Sequence, residues 1–117
     1  MTKKREGVVR TYQHHNNRLA VLIEVATDSD FVARNKEFLE FVDNMMMHIA
    51  SENPASHDEL LEQSWLFNDS QTVDEVVAEQ RKKFGEDICV SCYIRWTLDL
   101  PDVIPEEEPP AVVVELL

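Results

Sequence analysis

Two stretches of alternating side chains, Val8 to His15 and Arg18 to Ala26, flank the pair Asn16-Asn17. Asparagine tolerates the positive φ values that a two-residue hairpin turn demands. With the turn centred on that pair, facing residues have numbers summing to 33. Tyr12 then faces Val21, His14 faces Leu19, Arg10 faces Ile23 and Val8 faces Val25, all on one face of the sheet. Thr11, Gln13, Arg18, Ala20, Leu22 and Glu24 make a more mixed opposite face. Ile88 to Leu98 alternates as clearly, and its apolar set Ile88, Val90, Cys92, Ile94, Trp96 and Leu98 is expected to face the core.

Between these strands the apolar period changes from two to between three and four. Asn35 can cap a helix through Phe38, Phe41, Val42, Met45, Met46 and Ile49, stopped by Asn53-Pro54. Ser56 with Glu59 and Thr72 with Glu75 fit capping boxes. The first opens a short helix carrying Leu60, Leu61 and Trp65. The second opens one with Val73, Val76, Val77 and Phe84 inward, ended by Gly85. The order β-β-α-α-α-β predicts an α+β fold: a three-stranded antiparallel sheet with helices packed on one face. Such a sheet has two edges and a small buried face, so pairing with a second copy or a partner protein is expected.

Charge separates body from tail. The net charge is −12, of which residues 1–98 carry −6; the remainder lies in 99–117, which has six acids and no base. The chain therefore reads as a core domain over 1–98 and an acidic, proline-rich tail over 99–117 that is extended or disordered. The apolar end, from Ala111 to Leu117, can either add a strand to a sheet edge or fray. The acidic balance opposes sequence-independent nucleic-acid binding and favours protein partners. No apolar run is long enough to span a membrane. No secretory signal is read, and a cytoplasmic location is expected.

Motifs for covalent chemistry are scarce. Cys89 and Cys92 form a Cys-x-x-Cys, but three residues of strand span about 10 Å, past the ~7 Å reach of a disulfide. Their parity puts the thiols on opposite faces, Cys92 in the core and Cys89 outside, and no other cysteine completes a zinc site. Neither a metal nor any other cofactor is expected. His14 and His15 stand at the hairpin turn pointing to opposite faces, so a loop role is favoured over catalysis. Met45-Met46-Met47 reads as core filling. With two glycines in the chain, no phosphate loop or dinucleotide fingerprint can be built. An enzyme with its own covalent chemistry is not expected.

The segment from Ala26 to Asn35 joins the second strand to the long helix. Ser29 can cap a turn beginning at Asp30. In one reading Phe31 tucks into the core behind that cap; in the other, Asp30 and Phe31 form an exposed acid–aromatic pair, a good protein-binding tip.

Tyr12-Gln13-His14-His15-Asn16-Asn17-Arg18, Val21-Leu22-Ile23-Glu24 and Asp30-Phe31-Val32-Ala33-Arg34 together resemble the bacterial elongation factor Ts family. The family pattern is a Tyr-x-His-His-x-x-Arg hairpin, a Val-Leu-Val-Glu strand, then Thr-Asp-Phe-Val-Ala-Arg/Lys. Asn35-Lys36-Glu37-Phe38, His48-Ile49-Ala50, Asn53-Pro54, Thr72-Val73 and Gly85-Glu86-Asp87-Ile88 extend the similarity over roughly residues 5–98. The resemblance implies a partner, elongation factor Tu, and promotion of guanine-nucleotide exchange on it. It implies that Asp30 and Phe31 enter beside the nucleotide of Tu, supported by Ser29, Val32, Ala33 and Arg34, and that the hairpin carries His14 and His15. The alternative is a binding or scaffold module that captures Tu, or another protein, without exchange. Ser29 stands where the family has threonine, and either hydroxyl can cap. Because the hairpin begins at Gly7, no counterpart of the family's N-terminal ubiquitin-associated-like domain is expected, and the stretch between Asn53 and Thr72 is short. A minimal core module is therefore expected, able to dimerise through an outer sheet face containing Thr11, Ala20, Leu22, Cys89 and Tyr93.

Overall fold

A computed structural model describes residues 6–98 and the backbone of 112–114. Strands β1 (Glu6–Gln13) and β2 (Leu19–Thr27) form the expected hairpin. Its register runs from Glu6 opposite Thr27 to Gln13 opposite Ala20, so every pair sums to 33. The turn closes with His14 N–H donating to the Leu19 carbonyl at 2.8 Å, and Asn17 takes the positive φ of 61°. Val21, Ile23 and Val25 are buried while Val9 and Leu22 are exposed, the half-buried pattern that alternation requires.

After a single turn, α1 (Asp30–Ala33), the long helix α2 (Lys36–Glu52) starts where Asn35 accepts from the Glu37 and Phe38 amides. It buries Phe38, Phe41, Val42, Met45, Met46 and Ile49 against the sheet, and Met47 stays outside. Asn53 ends it in the left-handed conformation, ahead of Pro54. Helix α3 (His57–Glu62) begins at the Ser56 cap, but the box expected there stays half-made, because Glu59 Oε2 accepts from the Ala55 amide at 2.7 Å; α4 (Val73–Phe84) begins at the fully reciprocal Thr72–Glu75 box. These helices cover one face of the sheet in an α+β fold, around the cluster of Ile23, Phe38, Met45, Leu60, Val73 and Ile88.

Three features differ from the sequence expectation. Trp65 is not helical: α3 stops at Glu62, Gln63 turns extended, and β3 (Ser64–Trp65) pairs with β4 (Asn68–Thr72) as a small hairpin. The Gln63 carbonyl accepts from Val73 N–H at 2.9 Å and closes it. Nothing in residues 64–72 alternates strongly enough to announce strands.

The second difference lies in β5 (Cys89–Thr97), which pairs with β2. Val90 opposes Val25 but Cys92 opposes Glu24, which leaves Ser91 as the extra residue of a bulge. Ser91 is buried, and its hydroxyl donates to the Glu24 carboxylate at 2.5 Å. One inserted residue reverses the parity of everything after it. Ile88 and Val90 face the core, but so does Tyr93, whose hydroxyl donates to the Pro54 and Ser56 carbonyls. Burial, then the Glu59 charge, push its pKa up to about 12. Trp96 and Leu98, expected inside, are exposed. Cys92 leaves the core for the outer-face parity it shares with Cys89, so the two thiols do not lie on opposite faces. Burial and Glu24 raise the Cys92 pKa. Tyr93 accordingly drops out of the expected outer face.

Third, the sheet gains a fourth strand. Backbone of β6 (Val112–Val114) runs antiparallel to β5, with Ile94 opposite Val112, giving the order β1-β2-β5-β6. Of the two readings of the apolar end, the strand is the one seen, on this chain's own sheet. The expected extended or disordered segment over 99–111 and the last residues, 115–117, lie outside the described residues.

Candidate functional site

β2 ends at Thr27, whose hydroxyl donates to the Ser29 carbonyl at 2.9 Å and bends the chain away from the sheet. Ser29 keeps extended angles (φ −134°, ψ 153°) and accepts the Val32 amide on its Oγ at 3.3 Å. The turn that follows splits its side chains sharply. Val32 and Ala33 are buried beneath it, while Phe31 is 76% exposed at its outer surface. A core residue of that size would be almost fully covered. Asp30, beside it, pairs with Arg34 one turn later (Oδ2 to Nε, 2.8 Å), both side chains well exposed. The result is an aromatic ring and a carboxylate at the surface of a turn rooted by two buried neighbours.

The loop before the tip is tied to a distant segment. Glu86 Oε1 accepts from the amides of Asp28 (3.2 Å) and Ser29 (3.1 Å), and Oε2 accepts from the Ser29 hydroxyl at 2.5 Å. In return Asp28 Oδ2 accepts from the Asp87 amide at 3.0 Å. Arg81, on the last turn of α4, lies 3.4 Å from Asp87 Oδ1. Sequence reasoning missed this partner. Gly85 marked the helix end, but nothing local joined Glu86 to a serine 57 residues earlier.

The structure does not bring the hairpin histidines to this tip. They sit at the opposite end of β2, about 25 Å away at ordinary strand rise. His14 Nδ1 is 2.7 Å from the Tyr12 hydroxyl. The rings of His14 and His15 lie 4.2 Å apart rather than on opposite faces, because β1 has ended and His15 already belongs to the turn. Among the described residues, no group of three or more His, Cys, Asp or Glu is placed to hold a metal ion. No described helix is long and apolar enough to cross a membrane.

Another exposed aromatic, Phe67, also escaped the sequence reading. The β3–β4 hairpin presents Leu66 and Phe67, the latter 53% exposed. Trp65 beneath it stacks on the buried His48 ring at 5.3 Å. His48 Nδ1 accepts the Leu66 amide at 3.1 Å and Nε2 faces Gln63 Oε1 at 2.9 Å, the pattern of a neutral ring protonated on Nε2. Burial lowers the His48 pKa, against smaller upward pulls from Gln63 and Glu52.

Comparison with known proteins covers both the tip and this hairpin. The family model described as Elongation factor TS matches residues 28–99. An elongation factor Ts of Clostridium kluyveri is 34% identical over 90 residues, covering 77% of this chain and 29% of the relative. One from Clostridium novyi is 33% identical over 94 residues, 80% of this chain and 31% of the relative. One from Nitratidesulfovibrio vulgaris reaches 51% over 53 residues, 45% of this chain and 26% of the relative. The chain thus spans under a third of the length of these relatives.

Proposed function

This chain belongs to the elongation factor Ts family, and from that membership we propose that it binds elongation factor Tu and speeds release of GDP through Asp30 and Phe31. The observation that carries the proposal is the exposure of Phe31 on a turn whose next two residues are buried. An exposed ring on a fixed turn can enter an apolar pocket at small ordering cost, and a buried aromatic anchor is worth about 2 kcal/mol or more. Asp30 is already oriented by Arg34, but an exposed ion pair is worth under ~1 kcal/mol, so the carboxylate can be surrendered to polar groups of the partner.

The physics of exchange is coupling between two ligands. A protein that prefers nucleotide-free Tu must weaken GDP binding by the factor by which GDP weakens its own. No bond is made or broken, so the chain acts without covalent chemistry. Val32 and Ala33 root the tip, Ser29 caps it and Arg34 orients Asp30. A cytoplasmic setting follows from the partner. The open sheet face, where Val9, Leu22 and Trp96 are exposed, is proposed as the surface for a homodimer.

Chase of a fluorescent GDP from Tu tests the proposal. The wild-type chain accelerates release, and Phe31→Ala removes the acceleration while its unfolding transition is unchanged. Equal release rates with wild type, variant and buffer would overturn the exchange role. Tight capture of Tu with unchanged GDP release would instead leave a Ts-fold binding module.

A further inference from the structure

We infer that Glu86 is the positioning residue of the Asp30-Phe31 tip: its carboxylate gathers three donors from Asp28 and Ser29 and holds the turn in its projecting form. The role in exchange rests on the Tu reading above; the clamp itself does not. Helix α1 has four residues, too few to sustain a turn by its own hydrogen bonds. Its geometry must therefore be imposed from outside, and two anchors are visible: burial of Val32 and Ala33 behind the tip, and Glu86 in front.

Glu86 acts on the cap directly. The Ser29 hydroxyl has one proton, which goes to Glu86 Oε2, and this turns an oxygen lone pair toward the Val32 amide. The Asp28 and Ser29 amides, left over where β2 has ended, are satisfied by Oε1. A charged acceptor makes these bonds stronger than neutral ones. The approach of Glu86 depends on Gly85, which turns the chain at φ 68° off the end of α4. The Asp28–Asp87 bond closes the clasp from the other side.

Loss of a pre-organising contact has its own kinetic signature. If the tip is competent only a fraction of the time, apparent affinity falls by that fraction, while the saturated complex is unchanged. Glu86→Ala therefore raises the concentration for half-maximal GDP release by about tenfold or more, with the plateau rate retained. Phe31→Ala lowers the plateau instead. Glu86→Gln, which keeps a carbonyl acceptor, recovers part of the affinity.

The test has two arms on the full chain. Without any partner, amide hydrogen exchange is read at Asp28, Ser29 and Val32, with Ile23 and Ile49 as core reporters. Exchange about tenfold faster at the first three in Glu86→Ala, with the core unchanged and Glu86→Gln between, supports the clamp. Unchanged exchange there overturns the inference whatever the release assay gives. With Tu, a raised half-saturating concentration supports the inference, and an unshifted one alongside a dead Phe31→Ala overturns it while leaving the exchange function standing. If wild type itself fails to speed release, the Tu reading falls and the exchange arm alone decides the clamp. Should Glu86→Ala not fold, Glu86→Gln carries the same readouts.

Discussion

Among the described residues, two turns bring a phenylalanine ring to the surface, and they are held by different means. At Phe31 the chain is fixed by a carboxylate that collects hydrogen donors from a loop 57 residues earlier. At Phe67 it is fixed by stacking of Trp65 on a buried, neutral His48. The first scaffold adds a polar clamp to the buried Val32 and Ala33, and its ring, being mostly solvated, can be cut without touching the core. The second runs its support through the core, so tip and stability cannot be separated there. Exposure alone does not make a binding tip; what counts is whether the ring can be altered without disturbing the fold.

The sharpest way to break the contrast is to delete the buried ring that supports one turn and the exposed ring that tips the other. Trp65→Ala removes a buried aromatic and should cost about 3–5 kcal/mol in urea unfolding. Phe31→Ala, the loss of a ring that is mostly solvated, should move the same midpoint by less than ~0.5 kcal/mol. Comparable losses at both sites would erase the distinction.

Acid should act on one turn and spare the other. The His48 pKa is lowered in the fold, so its neutral form supports the hairpin above the ordinary histidine pKa of about 6.5. That contribution disappears as pH falls through the lower folded value. Protonation fills Nδ1 and removes the acceptor of the Leu66 amide. Amide exchange at Leu66 should accelerate as pH is lowered from neutrality, after correction for intrinsic rates, ahead of the Ser29 amide.

A smaller effect is expected at Gly85. No atom lies within 4 Å of an added Cβ, so Gly85→Ala suffers only from its φ of 68°, about 1 kcal/mol, read in urea unfolding. Because Glu86 follows directly, the same variant should loosen the Ser29 amide and leave Leu66 alone. Smallest of all is Arg34→Ala. It removes a solvent-exposed ion pair and should change stability by under ~0.5 kcal/mol, while freeing Asp30.

Much of this was legible in the chain because it is decided by near neighbours. Asn17 at positive φ fixed the hairpin register, and the caps at Asn35, Ser56, Thr72 and Gly85 all form. The apolar stripe of α2 lies where its spacing put it. The resemblance picked out Asp30 and Phe31 as an entering pair, whereas the residues alone left open whether the ring lay in the core or outside it. Ser91 shows why strand faces were half right: a single unpaired residue carries no compositional mark, yet it turns Tyr93 inward and Trp96 outward. The Trp65 hairpin failed for another reason, since its strands owe their existence to His48 and Val73 rather than to their own propensity.

By itself, then, the amino-acid order determined the β1–β2 turn, the caps that begin α2, α3 and α4, the ends of α2 and α4 and the membership of the chain in its family, the structural ones set by forces acting over a few residues. Tertiary structure alone decided that Phe31 stands in solvent, that Cys92 leaves the core and that Glu86 reaches Ser29. Those outcomes depend on which segments share the limited buried volume, and on where leftover donors find an acceptor. Both are settled only when distant parts of the chain have met.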